Sequence, residues 1–137
     1  MLQFYFLSVL LNALTGILLV FAGKNVISGQ DTASMPSIAY DETVRLVLGI
    51  LTAVTGFFKL LTVIRGDIPV IGDLIPALAG LAAGTVLLYE FYRSRTHIEE
   101  DSLPSILVFI VHSDKYIGIA AIISSVLHFF FPYVLFL

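Results

Sequence analysis

The chain contains no cysteine and no tryptophan, and only 12% of its 137 residues are charged. Without cysteine there are no disulfides, thiolate metal sites or cysteine nucleophiles. The scarcity of charge excludes more. A soluble domain carries about 25% charged residues, and a chain this short buries only about two-thirds of its surface by folding in water. Too few polar residues are left to cover the rest. Positive charge is scarcer still: seven Lys and Arg against ten Asp and Glu give a net charge of −3. Phosphate binding rests on clustered Lys and Arg, and the sequence holds no such cluster, so nucleic acid is not an expected partner. A polybasic site for anionic lipid is excluded on the same ground.

Enzyme signatures are also missing. There is no Gly-x-Ser-x-Gly, no His-Glu-x-x-His and no phosphate-cradling glycine loop. His112, Ser113 and Asp114 are the residue types of a catalytic triad, but neighbours in sequence rarely meet in triad geometry. His97 with Glu99, Glu100 and Asp101 lacks the spaced ligand pattern of a cation loop. The expectation is a protein without catalytic activity and without a metal site; a cofactor is left open, since His128 with Phe129, Phe130 and Phe131 could line a pocket for a lipid or cofactor.

What the chain does have is apolar residues, 58% of the total, with a mean hydropathy of +1.01. Residues 4–23 hold no charge and match the ~20 residues that cross a hydrocarbon core as a helix. A signal peptide is the competing reading, disfavoured because no Lys or Arg precedes the run. Residues 24–42 are rich in Ser, Gly, Pro and Asp and read as a loop, with Asp41 placed to cap a second helix. That helix runs over residues 43–64. Gly66, Pro69 and Gly72 turn the chain, and Asp73 can cap a third helix over residues 74–92. A polar loop, RSRTHIEEDS, follows.

The last third contains LVFIVHSDKYIGIA, in which His112, Ser113, Asp114 and Lys115 interrupt one long apolar run. Residues 103–111 are too few to span as a helix, whereas residues 116–137 suffice. The four polar residues therefore mark a break at an interface, with a short helix before it; the rival is one continuous helix carrying them into a polar cavity. The expected fold is all-α: a polytopic integral membrane protein, a single transmembrane domain over residues 1–137, with four spanning helices and a short interfacial or re-entrant helix before the last. Lys and Arg are more numerous around the loops after the first and third helices, which places those loops in the cytoplasm. The expected location is a cell membrane, crossed several times, of the bacterial inner-membrane kind.

Small residues recur at four-residue spacing: Gly80 with Gly84, Ala120 with Ser124, Ala121 with Ser125. Such stripes let helix backbones approach closely, either within the chain or between copies. Asn12 and His128 fall near the middle of their spans, where a polar group without a partner costs several kcal/mol; they either bond between helices or form a ligand or proton site. Lys59 lies close enough to its helix end to snorkel. Arg65, Asp67 and Asp73 share the connecting turn, as turn caps or as the mouth of a path. Glu90 has Arg93 three residues on as a partner. The functional expectation is a small, homo-oligomeric transport or channel-type protein in the lipid bilayer. Its ion or solute path would involve Asn12, His128, Thr55 and Thr85, with Asp67, Asp73 and Arg65 at the mouth and His112, Asp114 and Lys115 near the other polar break. The alternative is an accessory or scaffold subunit that binds another membrane protein or lipid.

Overall fold

The computed structural model describes residues 2–22, 36–61, 73–96 and 103–131. All regular structure there is helical: α1 (Leu2–Ala22), a 3-10 turn (Ser37–Tyr40), α2 (Glu42–Leu61), α3 (Leu74–Arg95), α4 (Ser105–His112) and α5 (Asp114–Phe130). Three of these, α1, α2 and α3, are long and apolar enough to cross a membrane, and the number becomes four if α4 and α5 are one bent span.

Helix starts follow local chemistry. Asp41 caps α2 as its position suggests, its Oδ1 accepting from the backbone N–H of Thr43 at 2.8 Å and of Val44 at 3.1 Å. Asp73 occupies the cap position of α3 without a side-chain bond to it, because its carboxylate is engaged elsewhere. α3 continues through Arg95, one turn beyond the expected end at residue 92. The polar interruption in the last third is a true break. α4 and α5 meet at Ser113 with a bend of 72°, so the continuous-helix reading does not hold. α5 begins at Asp114, ahead of the expected residue 116.

The four long helices pack antiparallel in chain order. Tyr5 meets the end of α5 while Gly16 meets its first half, and Arg45 meets the end of α3 while Gly56 meets its start. α1 packs chiefly on α5 and α2 chiefly on α3; α1 and α3 also touch each other, which leaves α2 and α5 diagonally opposed. Glycine sets both main contacts. A Cβ on Gly16 would stand 2.6 Å from the Gly118 carbonyl oxygen, and one on Gly84 would stand 2.7 Å from the Ala53 nitrogen and 2.8 Å from the Gly49 oxygen. At that separation backbone dispersion takes over the role that hydrophobic burial has in water. Gly80 and Gly84 are thus used within the chain, against α2. Of the small residues on α5, Ala121, Ser124 and Ser125 face inward while Ala120 is exposed. Ala120 therefore does not share a packing face with Ser124.

Side chains are distributed inside-out relative to a water-soluble bundle. Phe6, Leu10, Leu14, Ile17 and Phe21 form an exposed apolar stripe along α1, and Val47, Ile50, Val54, Phe57 and Leu61 do so along α2. The residues turned inward include Ser8, Asn12, Thr15, Thr52, Thr55, Ser124 and Ser125. Replacing Gly84 with Leu is expected to lower stability by about 1–3 kcal/mol through overpacking, whereas Ala120→Leu should change it by less than about 0.5 kcal/mol. Thermal unfolding of the two variants in the same detergent checks this difference.

Candidate functional site

The centre of interest lies at the end of the bundle where α1 starts, α2 ends, α3 starts and α5 ends. Each helix delivers one group to it. Lys59, in the last turn of α2, sits on the same face as Arg45, Gly49, Thr52, Thr55 and Gly56, and all of them are buried. Its ammonium lies 2.9 Å from Asp73 Oδ2 and 3.1 Å from His128 Nε2. Asp73 Oδ1 is 3.6 Å from the same imidazole nitrogen. Lys59, Asp73 and His128 are 2%, 6% and 0% exposed, so a full ion pair and an imidazole are enclosed together.

Hydrogen-bond chemistry assigns the tautomer. An ammonium carries donors only, so Nε2 accepts from Lys59 and the ring proton resides on Nδ1. Tyr5 closes the centre from α1, its ring 4.8 Å from that of His128 and 5.6 Å from the Lys59 ammonium. Its hydroxyl lies 2.8 Å from the His128 carbonyl oxygen and 3.1 Å from that of Phe129, and donates to them. Carbonyls in the last turn of a helix lack intrahelical partners, and this phenol supplies one. Asp73 gains further support from the N-terminus of α3, where the helix dipole favours negative charge.

A layer of uncharged polar groups extends inward from this centre. Asn12 donates to the Pro76 carbonyl oxygen at 2.9 Å, the Thr15 and Thr52 hydroxyls are 2.8 Å apart, and Ser125 donates to the Val9 carbonyl oxygen at 2.7 Å. Ser124 Oγ, also buried, has no hydrogen-bond partner among the described residues. Thr55 is buried too, whereas Thr85 is half-buried and bonds back to Leu81 at 2.7 Å. The layer then stops against an apolar one formed by Leu19, Ala83, Val86, Leu87 and Ala121.

A second ionic group lies beyond that apolar layer. Arg45 pairs with Glu90 and also points at the carbonyl oxygens of Ala39 and Ala22, 3.3 Å and 3.5 Å away. Asp114 is buried at the start of α5, close enough to Glu90 for the two like charges to act on each other. At the helical rise, Asp73 and Glu90 stand about 25 Å apart along α3. Outside this group, Arg95 and Glu42 form an exposed pair at 3.1 Å, of a kind that contributes little.

Of the residues singled out in the sequence, Asn12, Asp73 and His128 come together at or next to the centre. Asp73 is not at an open mouth: it is sealed between Lys59 and His128. Arg65 and Asp67, and the loop acids with His97, lie outside the described residues. His112 and Lys115 are exposed, with His112 Nδ1 2.9 Å from the Val108 carbonyl oxygen, while Asp114 turns inward with the second ionic group. Two expected pairings are corrected. Lys59 does not snorkel, because Asp73 offers it a counter-charge inside; Glu90 meets Arg45 rather than Arg93, because both face the interior. Sequence reasoning missed Lys59, Arg45 and Tyr5 as members of a site. The signal for the first two was present: the small and polar residues of α2 recur every three or four positions from Arg45 to Lys59. Among the described residues no group of three or more His, Asp or Glu is arranged to hold a metal.

A protein-family model matches residues 1–128, and an uncharacterized protein of Treponema pallidum (strain Nichols) is 34% identical over 137 residues, covering the whole of both chains. The chain belongs to this family. No solved structure matches it.

Asp73→Asn removes the counter-charge of a buried ammonium, which costs about 3–5 kcal/mol. The double replacement Lys59→Met with Asp73→Leu is expected to recover most of that loss, since apolar residues of similar volume substitute well for a buried pair. A double-mutant cycle by denaturant titration in detergent measures both effects.

Proposed function

We propose that this is a small membrane protein of transport or channel type, with four membrane-crossing segments, that binds an ion or small solute at the Lys59–Asp73–His128 centre. The observation that carries the reading is the enclosure of two full charges and an imidazole inside a bundle whose outer faces are apolar. Ionisable groups held at membrane depth are costly and pair with one another along substrate or proton paths. The uncharged layer of Asn12, Thr15, Thr52, Thr55 and Ser124 supplies donors and acceptors that lead inward from the centre. The apolar layer around Leu19 and Leu87 blocks the way to Arg45 and Glu90, as hydrophobic constrictions do in gated pores. The setting is a cell membrane of the bacterial inner-membrane type, and the apolar outer stripes suit assembly with further copies of the chain.

A second reading, an accessory subunit for another membrane protein, is favoured by α4. None of its residues is buried, and Ile106 and Phe109 are each 70% exposed. Flux in proteoliposomes separates the two. Transport predicts movement of protons, alkali cations or a small solute that His128→Ala and Asn12→Ala each reduce several-fold. Unchanged flux in both variants ends the transport reading. Native mass spectrometry from nanodiscs is expected to show a homo-oligomer; a uniform monomer favours the accessory reading.

A further inference from the structure

We infer that the species bound at this centre is a proton, taken up on His128 Nε2, and that it acts by releasing α2 from α5. The inference rests on the transport-type reading of the centre and names its substrate.

Helix spacing argues for a proton over anything larger. Backbones meet at Gly16 with Gly118, at Gly56 with Ala77 and at Gly84 with Ala53, and the interior polar groups bond directly to one another. A proton needs no free volume; it needs a basic lone pair, and the centre presents one. Nε2 of His128 has a single in-plane lone pair, and the Lys59 ammonium occupies it at 3.1 Å. A proton and the lysine cannot share that pair. When water delivers a proton to Nε2, an N–H replaces the lone pair, the Lys59 hydrogen bond breaks, and the imidazolium turns to Asp73 Oδ1, already 3.6 Å away. Asp73 then faces two cations, each on its own carboxylate oxygen. No covalent bond other than N–H forms, and the added charge is shared with the carboxylate. Among the described residues, the charged and titratable groups shown facing His128 come from the three helices packed around it: Tyr5 of α1, Lys59 of α2 and Asp73 of α3.

The bond that breaks has a particular place in the architecture. α2 and α5 are the diagonal pair, without extensive packing against each other, so the Lys59–His128 contact is a direct tie between them across the bundle. Protonation cuts that tie while leaving the α2–α3 link through Asp73 in place. The expected motion separates the ends of α2 and α5 at the side where the proton entered.

Two measurements on the full chain in nanodiscs test this. Ring-nitrogen NMR of histidine-labelled protein follows three histidines, with the His128 signal assigned by its loss in His128→Gln. The expected result is a His128 ring that changes protonation state as pH falls, with a response that differs in Asp73→Asn and in Lys59→Met. Because the chain has no cysteine, spin labels can be placed at Leu61→Cys and Phe130→Cys, both exposed positions at the ends of α2 and α5. Their distance is expected to lengthen as pH falls through the His128 midpoint. In His128→Gln, which keeps an acceptor for Lys59 but does not titrate, the distance should stay at its high-pH value. A His128 ring that holds one protonation state throughout overturns the proposal, and so does a distance that ignores its titration. If both responses occur while liposomes show no flux, the proton site stands and the transport reading fails. If His128-dependent flux occurs with neither response, the reverse holds.

Discussion

Complementary charge between α2 and α3 is the constraint on which the other contacts depend. α2 carries the two buried cations, Arg45 and Lys59, and α3 the two carboxylates that meet them, Glu90 and Asp73. The cations lie at opposite ends of α2 and the acids at opposite ends of α3, and in the antiparallel hairpin Arg45 meets Glu90 while Lys59 meets Asp73. A slip of one turn would leave four buried charges without partners. The pairs therefore select the register within which Gly49, Gly56, Gly80 and Gly84 find their close contacts. Dispersion across those glycines then holds the alignment that the charges select.

The second helix pair is built differently. α1 and α5 meet at Gly16 and Gly118 and are joined by uncharged bonds, Ser125 to Val9 and Tyr5 to the last carbonyls of α5. His128 is the group through which α5 reaches Lys59 and Asp73, while α1 reaches the charged helix pair through Asn12 and Thr15. The centre is thus at once a structural junction and one of the points where the two halves share a hydrogen bond. Hydroxyls and an amide lie inward of it, and beyond them Leu19, Val86 and Leu87 close it off from Arg45.

Much of this was legible in the sequence, and the rest was not for identifiable reasons. Hydropathy located α1, α2 and α3 within a few residues, since lipid-length apolar runs leave little ambiguity. The polar interruption at residues 112–115 marked a break, although its 72° bend depends on what α4 packs against. Lys59 was misjudged because snorkelling is reckoned from distance to the helix end, whereas its direction is decided by Asp73, reached across a connection whose path the sequence does not specify. Glu90 was matched to Arg93 because a neighbour three residues away is visible in the chain and Arg45 is not. Of the overlapping stripes beginning at Ala120 and Ala121, Ala121, Ser124 and Ser125 face inward and Ala120 alone is turned out.

The separation of charge by sign between α2 and α3 also bears on how the protein enters a bilayer. Taken alone, α2 presents Arg45 and Lys59, one near each end, where charge costs less than the ~2.5–3.5 kcal/mol it costs at a helix centre. α3 alone presents two carboxylates. Neither segment is well suited to partition by itself, yet the hairpin they form neutralises both ends at once. The two helices are consecutive in the chain, so the second follows the first out of the ribosome within seconds. On the membrane-spanning reading proposed above, the α2–α3 hairpin would partition as one neutralised unit, and α5, later in the chain, would bring His128 to a site already charged.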